Sequence, residues 1–227
     1  MKHKRFLTGA ISLALVAVVS VGATLAYFTD KTETAENVFT TGKVKIELID
    51  RLPGDYEATK DDHTWKAVDN GDNSGITYNE VLPGDYLQKQ VGFSTAEDSN
   101  DCYVAIRVET EVTSLPHANG KLTEPAVAAQ LSDLIREQVE EANGSAWIAE
   151  YSVREPGVVT YYFRTVVPAG TENVLLFDGI QIPGEEWGNE YADMAFNVKV
   201  QAAAIQAANT TLDTLMDMSW DELTSLE

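Results

Sequence analysis

Cysteine is nearly absent from this chain, with Cys102 alone in 227 residues. A single thiol excludes an intramolecular disulfide framework and any multi-cysteine zinc or iron–sulfur site. Histidine is scarce as well: His3, His63 and His117. Basic residues are few, 16 Lys plus Arg against 36 Asp plus Glu, for a net charge of −20. A phosphate backbone needs a basic face, so nucleic-acid binding is excluded. There is no H-E-x-x-H, no G-x-S-x-G, no G-x-x-x-x-G-K-[ST] and no G-x-G-x-x-G. Most enzyme classes that a short motif betrays are therefore missing. Apolar residues still make up 44% of the chain, too many for a disordered polymer.

What is present begins with a targeting signal. Lys2, His3, Lys4 and Arg5 precede an uncharged stretch from Phe6 to Ala26. Thr24 and Ala26 place small residues at the −3 and −1 positions of a cut between Ala26 and Tyr27, the secretory pattern. An uncleaved anchor is the alternative, since a run of this length just spans a bilayer. Removing residues 1–26, which carry +3, leaves the remainder at −23 against −20 for the whole chain. Such a body repels itself and stays soluble. Residues 27–36 (Tyr27, Phe28, Thr29, Asp30, Lys31, Thr32, Glu33, Thr34, Ala35 and Glu36) form a largely polar arm with no core pattern of its own. The remaining 37–227 reads as a single β-sandwich domain.

Strands dominate that domain. Val38, Thr40, Gly42, Val44, Ile46 and Leu48 alternate with Lys43, Lys45 and Glu47, predicting one half-buried strand from Val38 to Leu48. Residues 50–75 are loop-like, with a short strand around Thr64 to Val68. Ile76 to Leu82 and Tyr86 to Phe93 flank the turn Pro83-Gly84-Asp85. Tyr103 to Val112 alternates most clearly, with Cys102, Val104, Ile106, Val108 and Thr110 on one face. The period then changes. Val127, Leu131, Leu134, Ile135 and Gln138 or Val139 predict an amphipathic helix over 124–141, with Pro125 at its start and Asn143-Gly144 at its end. Strands resume over Trp147 to Val153, Val158 to Val167, Asn173 to Ile182 and Met194 to Ala208. Thr211 to Leu226 reads as one short helix, with Ser219 and Glu222 spaced as a capping box. Short strands separated by Gly/Pro turns imply an all-β, antiparallel sandwich of jelly-roll type, with one inserted helix and a short C-terminal one.

Several segments together resemble the TasA/camelysin family of exported Gram-positive proteins. The lysine-rich start and Thr24-Leu25-Ala26 before Tyr27-Phe28-Thr29-Asp30 resemble signals cut by a SipW-type signal peptidase. Asn37 to Val44, Val81-Leu82-Pro83-Gly84-Asp85, Tyr161-Tyr162-Phe163, Pro168-Ala169-Gly170 and Leu176-Phe177 are similar to further family stretches. Val198 to Ala207 looks like the family's closing strand. The 50–75 loop and the acidic C-terminal segment match nothing diagnostic. The resemblance implies a jelly-roll subunit that polymerises with itself into extracellular fibres of a biofilm matrix or cell-surface layer. The N-terminal arm would complete a neighbour's sheet, and an accessory matrix protein could take part. The expected location is extracellular, with membrane contact only through the uncleaved signal. Camelysin has been classed as a surface metalloendopeptidase, which stands as the alternative function; a monomeric adhesion module is a third.

No catalytic residue is nominated. His63 and His117 lie in loops, and Asp61, Asp62 and His63 alternate in direction along an extended chain. No cofactor is expected. An EF-hand fitted to Asn70, Asp72, Ser74 and Gly75 puts Val81 where a Glu is required. A looser calcium site on Asp69, Asp72 and Asn73 competes with a solvated turn. Cys102 reads as a packing residue. Trp65, Trp147, Trp187 and Trp220 read as core or rim, and Glu140-Glu141 and Glu185-Glu186 as solvated surface.

Overall fold

Val104, Ile106 and Val108 point one way from their strand and Ala105 the other, and all four are buried. A strand buried on both faces must lie in the middle of a sheet with cover on each side. The rest of the architecture follows from supplying that cover.

The computed structural model describes residues 38–40, 43–52, 66–69, 75–120, 122–152, 154–208 and 210–225. The signal segment 1–26 and the arm 27–36 lie outside the described residues, as do Asp61, Asp62, His63, Trp65, Asp72 and Asn73. The strands are β1 (Val38–Thr40), β2 (Ile46–Arg51), β3 (Lys66–Asp69), β4 (Ile76–Val81), β5 (Tyr86–Thr95), β6 (Cys102–Ser114), β7 (Trp147–Tyr151), β8 (Val158–Phe163), β9 (Val174–Gln181) and β10 (Met194–Gln206). Helix α1 (Glu124–Asn143) separates β6 from β7, and α2 (Leu212–Asp217) and α3 (Trp220–Thr224) follow β10. The larger sheet runs β3-β4-β10-β6-β8-β7, with β1 added parallel to β10. The smaller sheet is β2-β5-β9. Every other pairing is antiparallel. The all-β sandwich with few helices is thus what the chain forms.

Three strands cannot cover a much wider sheet, and α1 covers part of what remains. It packs against β6, β7 and β8 of the large sheet and β9 of the small one. Val127, Leu131, Ile135 and Val139 are buried as the period predicts, while Leu134 is only partly so. The helix also seals an edge. Gln138 donates from Nε2 to the Gln181 carbonyl at 2.8 Å and accepts from the Gln181 N–H at 3.0 Å. Asn143 donates to the Leu176 carbonyl at 3.1 Å. Two amides thereby stand in for a neighbouring strand along β9, the kind of cover that keeps an edge from pairing with another molecule. Thr110 ties the helix to β6, donating to the Ala128 carbonyl at 2.9 Å.

Two expectations are corrected. The single strand from Val38 to Leu48 is two strands in different sheets: β1 joins the large sheet and β2 the small one. Alternation reports which face is inward, not which sheet a strand joins, so the switch left no mark in the pattern. The stretch between them hydrogen-bonds to the loop after β5, with Ala96 N–H on the Lys45 carbonyl and Asn100 N–H on that of Lys43, each at 3.0 Å. The single C-terminal helix is two. Met218 is extended, and Ser219 opens a fresh helix with the predicted capping box: its hydroxyl accepts from the Glu222 N–H while the Glu222 carboxylate accepts from the Ser219 N–H.

The small sheet holds a feature with no sequence signal. Lys89, fully buried on the inner face of β5, is ion-paired with Asp50 of β2. Alternation along β5 places Lys89 in line with Leu87, Val91 and Phe93, a position where a charge survives only with a partner.

Candidate strand-acceptor edge

β10 is the long spine of the large sheet. Phe196, Val198, Val200, Ala202 and Ala204 enter the main core, while Ala203 and Ile205 enter a second cluster on the opposite face. One edge of β10 pairs with β6 from Ala195 to Gln206. The other edge is divided. β4 takes Met194 to Val198, and β1 takes Ala202 to Ala204. Between them, among the described residues, no strand pairs with Lys199, Val200 or Gln201 on that side.

Gly75 marks the limit of β4. Its φ is +85°, and a Cβ there would stand 2.6 Å from the Val198 carbonyl oxygen and 2.9 Å from the Lys199 Cα. Only glycine lets the chain enter β4 so close to β10. Beyond Gly75, among the described residues, β1 takes this edge opposite Ala202 to Ala204.

The register is Val38 opposite Ala202, Phe39 opposite Ala203 and Thr40 opposite Ala204. The chain supplies further neighbours: β1 lies beside β2 of the other sheet and beside α3. β1 thus sits at the seam where the two sheets approach each other.

The outer face beside this edge is covered by the C-terminal tail. Leu215 and Leu223 are buried there against Ala105, Tyr162, Ala203 and Ile205, with Leu212, Met216, Met218 and Trp220 at the margin. The Arg107 guanidinium lies 5.9 Å from the Trp220 ring centroid and pairs with Glu155 at 2.9 Å. Hydrogen bonds from the Ser219 side chain and backbone hold the Glu222 carboxyl below its usual range. Next to the tail opens a groove of about 860 Å³ whose lining mixes Arg107, Arg154, Glu150, Glu155, Tyr162 and Trp220.

The remaining candidates disperse. His117 pairs with Asp193 at 3.0 Å in an exposed position. Among the described residues no group of three His, Cys, Asp or Glu side chains could hold a metal ion. Cys102 is fully buried at the start of β6, and burial, with the Asp101 charge adding, pushes its thiol up to about 12. It packs, as its sequence context implies. Trp147 lies in the main core, stacked edge-on with Phe163 at 5.1 Å, whereas Trp187 lies flat on Tyr191 at 4.4 Å. Glu140 pairs with Arg136 at 2.6 Å, and Glu141, Glu185 and Glu186 are exposed. The cleavage pair Ala26 and Tyr27 and the whole arm to Glu36 lie outside the described residues. Sequence reasoning missed the divided edge of β10, and the only trace of it was Ala202-Ala203-Ala204, read simply as strand. Comparison of the chain with protein-family models, with curated proteins and with solved structures finds no match.

Proposed function

We propose that this chain is an exported structural subunit of the TasA/camelysin type, polymerising into extracellular fibres by strand exchange at its N-terminus. The observation that carries the reading is the divided edge of β10. An N-terminal strand is seated there in parallel, opposite Ala202 to Ala204, and among the described residues no strand pairs with Val200 or Gln201 on that side. A strand supplied by a neighbour in the same register would reach Gln201, Val200 and Lys199 as well. Strand addition draws affinity from main-chain hydrogen bonds, so the polar arm from Tyr27 to Glu36 suits it. Because β1 already fills part of the seat, exchange requires the subunit's own strand to leave. Release of the arm by cleavage after Ala26 would time assembly to export by a SipW-type peptidase. The jelly-roll winding, the extracellular location and the homopolymer belong to the same reading.

The test compares three secreted chains beginning at Tyr27, Asn37 and Thr41, together with Thr32→Pro/Thr34→Pro in the first. Proline removes a ladder donor at each site. The Tyr27 chain should form fibres in negative-stain micrographs. The Asn37 chain and the proline variant should stay folded by circular dichroism yet monomeric by sizing. Equal fibre formation by the Asn37 chain would rule out the arm as donor. Incubating the same preparations with casein, with and without chelator, addresses the metalloendopeptidase alternative: chelator-sensitive cleavage would displace the structural reading.

A further inference from the structure

Two hydrogen-bond donors are buried beneath α1 on β7 and β8. Trp147 is 3% exposed and Tyr161 0%. Among the described residues, neither Trp147 Nε1 nor Tyr161 Oη has a hydrogen-bond partner. A buried polar group left unpaired carries its full desolvation cost, so each instance calls for a physical reason.

The strand register brings the two together. Ala149 stands opposite Tyr161, and Trp147 opposite Phe163. Alternation then puts Trp147, Ala149 and Tyr161 on one face, the face that α1 covers. Ala149 is too small to fill the span beneath the helix, and a cavity of about 400 Å³ opens there. Trp147, Ala149 and Tyr161 line it from the sheet, Val139 and Glu140 from α1, and Gly144 and Arg164 from the loops that follow α1 and β8. That volume lies in the range of small-molecule sites.

The lining has a surplus of donors. The Glu140 carboxylate is already paired with Arg136 at 2.6 Å. Arg164 is exposed at the rim, its guanidinium 3.4 Å from the Gly144 carbonyl. Burial, with the Tyr151 phenol adding, holds the Tyr161 hydroxyl above the ordinary phenol range, so it stays protonated. An indole N–H can only donate. Two neutral donors inside and a cation at the rim suit a group that accepts several hydrogen bonds and carries one negative charge. Val139 and Ala149 offer apolar surface to the rest of such a molecule.

We infer that this cavity binds a small organic carboxylate: its oxygens accept from the Tyr161 hydroxyl and the Trp147 indole N–H, Arg164 supplies the counter-charge at the rim, and its apolar body lies against Val139 and Ala149. The site is on the opposite face of the large sheet from the C-terminal tail and does not depend on strand exchange at β10.

The experiment uses the chain beginning at Tyr27 in monomeric form, with benzoate as the probe and benzyl alcohol as the uncharged control. Binding is followed through the indole N–H signals of a nitrogen–proton correlation spectrum, the Trp147 signal being assigned with Trp147→Phe. Benzoate should bind saturably and move the Trp147 signal, and the alcohol should bind at least about ten-fold more weakly. Tyr161→Phe and Arg164→Ala should each weaken benzoate binding about ten-fold; the second changes an exposed residue and leaves the core intact. Without benzoate, Tyr161→Phe should match or exceed the parent's urea midpoint, because it deletes a hydroxyl that has no acceptor. A lower midpoint would show that the hydroxyl is already hydrogen-bonded and would overturn the inference. So would a Trp147 signal that benzoate leaves unmoved, equal binding of the alcohol, or unchanged benzoate affinity in either variant.

Discussion

The sandwich has two seams, and they are closed in opposite ways. On the β9 side, α1 lies along the gap for twenty residues, buries a full stripe and satisfies β9 with Gln138 and Asn143. On the β10 side, the closure is a three-residue parallel strand, with β2 and the tail beside it. The first is covalently continuous with β6 and β7 and has no reason to open. The second pairs with β10 opposite Ala202 to Ala204 and has β2 and α3 as neighbours. Edges that must not pair with another molecule are commonly covered by a helix or a loop. On the strand-exchange proposal, a second copy would join at the β10 edge rather than at that of β9.

Breaking the permanent seam should cost most. Leu131 is fully buried in α1, and Leu131→Ala should lower stability by about 2–5 kcal/mol, read as a fall in urea midpoint at unchanged slope. Leu131→Asp with an unchanged thermal midpoint would show that the stripe faces solvent.

The next effect concerns Cys102, which pairs with Gln206 at the end of β10 that β1 approaches. Its thiol ordinarily titrates near 9 and is held up to about 12 in the folded chain. A raised folded pKa contributes stability that is fully present below pH 9 and is lost as pH climbs from 9 towards 12. The thermal midpoint should therefore fall across that window in the parent and less in Cys102→Val. At pH 8 the thiol should react with maleimide only when denaturant unfolds the chain; rapid labelling of native protein would show that this end of the sheet opens readily.

Gln138→Ala sharpens the comparison with the smallest change. It removes the two bonds to Gln181 from a site open to water, so stability should drop by only about 0.5–1.5 kcal/mol. Its larger consequence is an uncovered β9 edge. Dimers or aggregates of this variant by sizing would confirm that the helix guards that edge. A monomer indistinguishable from the parent would show that α1 protects it by bulk alone.

The helix, the turns and most strands were legible because their signals are local. Pro125, the 3–4 spacing of Val127, Leu131 and Ile135, and the Ser219–Glu222 pair each act within one or two turns of chain. The break at Met218 was hidden because the apolar residues on both sides reach the same cluster, so the pattern looked continuous. Lys89 was hidden for the opposite reason: its partner Asp50 is distant in sequence, and nothing near Lys89 announces a carboxylate.

By itself the sequence determined the acidic charge, the lack of the short catalytic motifs and the alternation that makes a two-sheet protein. Those properties depend on composition or on neighbours a few positions apart. Only the tertiary structure decided that β1 and β2 belong to different sheets, that β4 stops at Gly75, and that the tail crosses β10 to reach β1. Each is a choice of partner between segments far apart in the chain, set by which surfaces remain uncovered once the local elements have formed.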